Sequence, residues 1–159
     1  MATEIERKFL LASDTWRNEA TEGERLAQGY LSSDASSSVR VRVKGDRAWL
    51  NIKGATTGIA RPEYEYEIPL SDGQEILEKL VRTPIIDKTR YLVVRGDHTW
   101  EIDEFYGDNR GLLVAEVELG SADEAFERPE WLGPEVSDDP RYLNAAVVNH
   151  PYSDWVDEG

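Results

Sequence analysis

The feature that most constrains this chain is an alternation in which charge occupies one face of strand after strand. Period-2 runs, separated by Gly, Ser, Asp and Pro clusters, predict strands near Glu4–Leu11, Arg25–Leu31, Ser38–Val43, Ala48–Lys53, Glu63–Pro69, Ile86–Val94, Thr99–Phe105 and Leu113–Leu119. In the first, Glu4, Glu6 and Lys8 share a face opposite Ile5 and Phe9. Arg40 and Arg42 oppose Val39, Val41 and Val43; Lys53 opposes Leu50 and Ile52; Glu63, Glu65 and Glu67 oppose Tyr64, Tyr66 and Ile68. Lys88 with Arg90, Glu101 with Asp103, and Glu116 with Glu118 continue the pattern.

An ordinary half-exposed sheet also turns charge to solvent. Such a face mixes in uncharged polar residues and has no reason to sort its charges by strand. Here seven of the eight strands carry the charge, three of them basic and four acidic, with Lys8 the lone base among the acidic four. The alternative is convergence. Eight antiparallel strands can close into a barrel whose interior holds one small ligand. The fold expected is therefore mainly β (α+β), a single domain over residues 1–159: an eight-stranded closed antiparallel β-barrel, charged inside, with helices covering its apolar outside. A membrane barrel shares the pattern but needs strands of about 9–11 residues, longer than these. SSDASSS and GATTGIARP read as hairpin loops. Ser71 with Gln74 and Ser121 with Glu124 read as capping boxes opening helices over Ser71–Val81 and up to Pro129. A helical turn is expected around Trp16, and a last helix from Asp139–Pro140 to about His150.

The inward set has its own chemistry. Eight acids (Glu4, Glu6, Glu63, Glu65, Glu101, Asp103, Glu116, Glu118) face six bases (Lys8, Arg40, Arg42, Lys53, Lys88, Arg90). Crowded carboxylates raise one another's pKa values, and unpaired buried charge is costly. Divalent cations would complete such a set; two would turn the lumen positive. Carboxylates without Cys or His favour Mg2+, Mn2+ or Ca2+, while Arg and Lys alongside point to phosphate. The chain has no cysteine and two histidines, which excludes thiol catalysis, zinc–thiolate sites and disulfides. There is no P-loop sequence. A net charge of −14 disfavours nucleic acid and anionic membranes as partners. No apolar run reaches membrane-helix length, and the opening MATEIERKF places charge where a signal peptide needs apolar residues, so a cytoplasmic protein is expected.

Glu4-Ile5-Glu6-Arg7-Lys8 resembles the ExExK signature of the CYTH family, the triphosphate tunnel metalloenzymes. It is followed in order by VRVRV, IKG, EYEYEIPL, DKTRY, WEIDEF and AEVEL, and by a tail from Pro129 to Asn144 similar to that of short bacterial members. The resemblance implies hydrolysis or rearrangement at a phosphoanhydride inside an eight-stranded tunnel, with Mg2+ or Mn2+, two per site. By position it implies phosphate binding by Lys8, Arg40, Arg42, Lys53, Lys88 and Arg90. It implies metal binding by Glu4, Glu6, Glu63, Glu65, Asp103, Glu116 and Glu118. It also implies a C-terminal plug helix across one tunnel mouth. Glu4 or Glu6 is the expected acceptor of the attacking water's proton, and the signature triad with Lys8 the expected catalytic group. Tyr30 is a candidate for narrowing the tunnel around its substrate. Inorganic tripolyphosphate is the expected substrate, since Trp49, Tyr30, Gln28 and Asn51 are the few inward groups able to hold a base or ribose. A nucleoside or thiamine triphosphatase, a class IV-type adenylate cyclase and a non-catalytic polyphosphate-binding module are the alternatives, and a homodimer is left open.

Overall fold

The computed structural model describes residues 3–142 except 35, 56, 82 and 83. Nine strands and one α-helix carry the architecture: β1 Thr3–Leu11, β2 Glu24–Ser33, β3 Ser37–Lys44, β4 Arg47–Gly54, β5 Ala60–Ile68, α1 Leu70–Lys79, β6 Ile86–Arg95, β7 His98–Phe105, β8 Leu113–Glu118 and β9 Leu132–Glu135. The sheet runs β5-β4-β3-β2-β6-β7-β8-β1-β9, and β5 also pairs with β1. That pairing, from Thr3 opposite Pro62 to Ile5 opposite Ala60, closes an eight-stranded antiparallel barrel. All eight expected strands are present. None of the described helices is long and apolar enough to cross a membrane.

Local chemistry sets the corners. The β3–β4 and β6–β7 hairpins each turn through Gly-Asp, and Gly45 and Gly96 take φ of 59° and 60°. Primed two-residue turns require such a positive φ at the first central position, which glycine alone adopts freely. The GATTGIARP stretch is shorter as a loop than expected, because β5 begins at Ala60 and runs through Pro62.

The alternation is inside out, and the principal apolar core lies outside the barrel. Phe9, Trp16, Val93, Trp100, Ile102, Val117 and Trp131 pack together against the outer faces of β1, β6, β7 and β8. The cover there is not helical in the way expected. A 3-10 turn at Thr15–Asn18 buries Trp16 as anticipated, but the rest is irregular chain bearing Phe126 and Trp131. The Ser121–Glu124 capping box does not open a helix. Glu124 accepts a hydrogen bond from Gly120 N and pairs with His98, Ser121 donates to Asp123, and the segment remains a turn followed by coil. Nor does Ser71 cap α1. The helix starts at Leu70 with Pro69 as its uncapped N-terminal residue, and ends at Lys79 with Leu80 as C-cap. α1 does cover the barrel, lying on β3 and β4 with Gly73 pressed against Ala48. β9 was not foreseen; it pairs with Phe9 and Leu11 on the β1 edge that β5 leaves uncovered.

One end of the lumen is apolar. Tyr30, Ile86, Phe105, Leu112 and Val114 cluster there, with Tyr142 packed against them. Register confirms the inward direction: Tyr30 opposes Arg40, Phe105 opposes Lys88 and Val114 opposes Asp103. Of the expected final helix, Pro140–Tyr142 forms one 3-10 turn, with Arg141 N donating to Asp139; residues 143–150 lie outside the described residues.

Candidate active site

Barrel closure turns the sorting of charge by strand into two facing arcs. Around the wall, β7, β8, β1 and β5 are contiguous and carry the acids; β4, β3, β2 and β6 are contiguous, and β4, β3 and β6 supply every expected base except Lys8, which lies on β1. They enclose a cavity of about 220 Å3. Its lining includes Glu4, Glu6, Glu63, Glu65, Glu101, Glu116 and Glu118 on one side and Arg40, Arg42, Lys53 and Arg90 on the other. Lys8, Lys88 and Asp103, also expected inward, are buried behind this lining. Glu67 leaves the lumen and pairs with Arg47 at the surface.

Ion pairs concentrate where the arcs meet. At the β6–β7 seam Arg90 grips Asp103 with two bonds of 2.8 and 2.9 Å and reaches Glu101 at 2.8 Å; Lys88 lies 2.8 Å from the same Asp103. Asp103 is only 2% exposed. Burial pushes its carboxyl up, but the two cations outweigh this and hold it far below the ordinary range. Asp103, expected among the metal-binding acids, is thus engaged by two cations and does not line the cavity. Burial drives Lys88 down to about 8 despite Asp103. At the β4–β5 seam Lys53 bridges Glu4 and Glu63, both at 3.1 Å, and Asn51 donates to Glu65 at 2.6 Å. Arg42 also pairs with Glu65, at 3.3 Å.

The middles of the arcs are different. Arg40 is 6% exposed, its Nε has no hydrogen-bond partner, and no described carboxylate lies within ion-pair distance of it. Arg42 is pushed below its ordinary value by burial and by the charges of Arg40 and Arg90. In the acidic arc, burial raises Glu6 well above the ordinary range, with Glu116 and Glu4 adding to it. Glu63 and Glu118 are also raised, by burial first. Burial pushes Glu116 up, but Lys8 at 3.2 Å, together with Arg90 and Lys88, outweighs this and holds it near 2. Glu4 is likewise held near 2, by Lys53 and Arg61 against burial.

Arg61 is the site residue that sequence reasoning missed. It lies at the start of β5, opposite Glu4, and donates from Nε to Glu4 Oε2 at 2.9 Å. Extending the Glu63–Glu65 alternation two residues back would have found it, but Pro62 reads as a strand boundary. Here that proline occupies the seam, where β5 meets β1 over three residue pairs among the described residues. Tyr30 belongs to the apolar end cluster and does not line the charged cavity. Trp49 holds Arg42, Lys44 and Arg47 within 5.5 Å of its ring centroid, so cations already cover it.

Residues 2–148 match the CYTH domain model. The chain belongs to the CYTH family. Among curated CYTH relatives, an inorganic triphosphatase of Acetivibrio thermocellus is 47% identical over 155 residues, covering 98% of this chain and 99% of that one. An inorganic triphosphatase of Nitrosomonas europaea is 37% identical over 150 residues, covering 92% and 97%. A crystal structure of an inorganic triphosphatase superposes with a TM-score of 0.65 at 34% identity, over 93% of this CYTH chain and 95% of the other. A protein of Pyrococcus horikoshii, 16% identical with a TM-score of 0.59 over 76% of this chain and 80% of its own, shares the fold.

Proposed function

We propose that this CYTH protein hydrolyses inorganic tripolyphosphate to diphosphate and orthophosphate with the help of a divalent cation. The observation that carries the reading is the two-arc tunnel, with the unpartnered Arg40 guanidinium in the basic arc facing raised carboxylates in the acidic arc. A slim polyanion matches the first and a hard cation the second. Two relatives that cover nearly the whole chain and are named inorganic triphosphatases support it.

The oxygen-only donor set fits Mg2+ or Mn2+. Glu4, Glu6, Glu63, Glu116 and Glu118 would hold it; bound there, it would neutralise phosphate oxygens and acidify water. Glu65 and Asp103 take another part, orienting Arg42 and the Lys88–Arg90 pair. Arg40 and Arg42 offer the open guanidinium edges to the phosphate chain, and Arg90 presents its charge from the Asp103 fork. Lys8, fixed by Glu116 and by the Tyr142 carbonyl at 3.1 Å, keeps its charge at the closed end. In the reaction, water oxygen bonds to the terminal phosphorus as the bond to the bridging oxygen breaks. Diphosphate leaves with that electron pair, stabilised by the basic arc. Glu6 is a better acceptor of the water's proton than Glu4, because Glu4 is held near 2 and is a poor base.

Nucleotides fit less well. Among the described residues the cavity lining contains no aromatic ring, and the Trp49 ring is covered by cations. Phosphate release should therefore be faster from tripolyphosphate than from ATP or thiamine triphosphate, with Mg2+ or Mn2+, and excess chelator should abolish it. An ATP rate above the tripolyphosphate rate would refute the substrate. Tight tripolyphosphate binding with no turnover would leave a binding module.

A further inference from the structure

Two cations interrupt the acidic arc. Lys8 is buried and held by Glu116 and the Tyr142 carbonyl. Arg61 is held differently. Its Nε donates to Glu4 Oε2 at 2.9 Å, and Nη2 stands 3.9 Å from Glu6 Oε1, too far for a hydrogen bond. Glu4 already has a cation, since Lys53 Nζ lies 3.1 Å from the same Oε2 and 3.3 Å from Oε1. Arg61 is thus a second positive charge on one carboxylate that needs only one. Among the described residues, no three acidic or histidine side chains stand close enough together to bind a metal ion as arranged.

We propose that Arg61 is a positioning residue that competes with the divalent cation, so that loading a cation requires its guanidinium to leave Glu4. A hard cation needs direct contact with carboxylate oxygens at about 2.0–2.6 Å. Arg61 occupies Glu4 Oε2, and its charge repels a second cation drawn to Glu4 and Glu6. The side chain can give way. It is 19% exposed, it reaches in from the seam between β5 and β1, and its guanidinium makes a single hydrogen bond among the described residues. The inference rests on the cation reading of the preceding subsection and gives Arg61 a role in setting cation affinity.

The test is Mn2+ binding to chelator-stripped protein without substrate, followed by electron paramagnetic resonance of free Mn2+. Arg61→Gln should bind Mn2+ about tenfold more tightly than wild type, the order expected for removing a charge-assisted hydrogen bond from the competing state. Arg61→Lys keeps the charge and loses the planar fork, and should bind about threefold more tightly. Arg47→Gln, which breaks only the surface pair with Glu67, should stay within about twofold of wild type. Unchanged or weaker Mn2+ binding by Arg61→Gln overturns the proposal. So does wild-type affinity in Arg61→Lys beside a tighter Arg61→Gln, since the field of the charge would then be the whole effect. If Arg61→Gln does not fold, the Arg61→Lys result decides alone. Failure of wild type itself to bind Mn2+ would instead sink the cation reading.

Discussion

Arg40 is buried and Arg90 half-buried in the basic arc, yet their removal should shift stability in opposite directions. Arg90 is held by two bonds to Asp103 and one contact to Glu101. Arg90→Gln leaves Asp103 with Lys88 alone. Breaking a buried pair from one side costs about 3–5 kcal/mol, and at about 2–4 °C per kcal/mol for a chain of this size the melting temperature should fall by roughly 10 °C. Arg40 has no carboxylate to lose, and its charge is one of those pushing Arg42 down. Arg40→Gln relieves that repulsion and desolvation, so the fold should gain about 1 kcal/mol, or about 2–4 °C. The function moves the other way. A lost charged hydrogen bond to phosphate is worth about 1.5–3 kcal/mol, so the KM for tripolyphosphate should rise about ten- to a hundredfold. Thermal melts with and without tripolyphosphate, in chelator to prevent turnover, read both effects. The Arg40→Gln protein should melt higher than wild type alone and gain less from the ligand. A lower melting temperature with an unchanged KM would refute the claim that Arg40 is held in reserve for substrate.

Two further predictions concern the fold. Lys88 is pushed down to about 8 in the folded protein from 10.5. Between those values the unfolded chain carries the proton and the folded one does not. Lys88 therefore makes the fold more stable as pH rises from about 8 to about 10.5, by roughly 3 kcal/mol in all; Lys88→Met should flatten that rise in denaturant titrations at stepped pH. Gly73→Ala should destabilise by about 1–3 kcal/mol despite alanine's better helix propensity, because the new Cβ would lie 2.5 Å from the Ala48 Cβ. A higher melting temperature for that variant would mean α1 shifts freely on the barrel.

What was legible in the sequence follows from the range of each signal. Strand alternation is repeated along the chain and tied to closure, so the strands and all fourteen expected inward charges fall on the inner side. Capping boxes are local signals, and tertiary partners override them: His98, from β7, takes up Glu124. β9 has almost no signal of its own. Its four residues, LGPE, include a glycine and a proline. It exists because β1 has a free edge, and because Gly133 tolerates Leu10 O at 2.9 Å from where a Cβ would stand. Tyr30 sits in the inward register as expected, directly opposite Arg40, but it packs into the apolar end cluster rather than the charged lining. Where polar lining gives way to apolar closure depends on how far the strands are staggered, and alternation alone carries no such information.

The pairing state of each inner charge follows from its place on the ring. Chain order separates the acidic strands β1 and β5 from each other and from the β7–β8 pair; closure makes the four contiguous. Cross-strand neighbours at a seam between unlike arcs have opposite sign and pair, as Arg90 does with Asp103 and Lys53 with Glu63. Within the acidic arc, Lys8 and Arg61 apart, the inward neighbours are neutral or alike. Arg40 stands between Tyr30 and Asn51 across its two ladders, so it finds no carboxylate. Glu116 stands between Glu101 and Lys8, and Glu118 opposes Glu6. Raised carboxyls and an unpaired guanidinium are thus two consequences of one strand order. Each half carries an electrostatic strain that the other is too far round the wall to relieve. On the proposed function, a cation bound to one half would ease binding of a polyanion to the other, because the two ligands would bring the charges that the mid-arc residues lack. Lys8 and Arg61 are the exceptions placed within the acidic arc. Only Lys8 is locked there by a second partner, the Tyr142 carbonyl, and that leaves Arg61 as the charge that can move when a cation arrives.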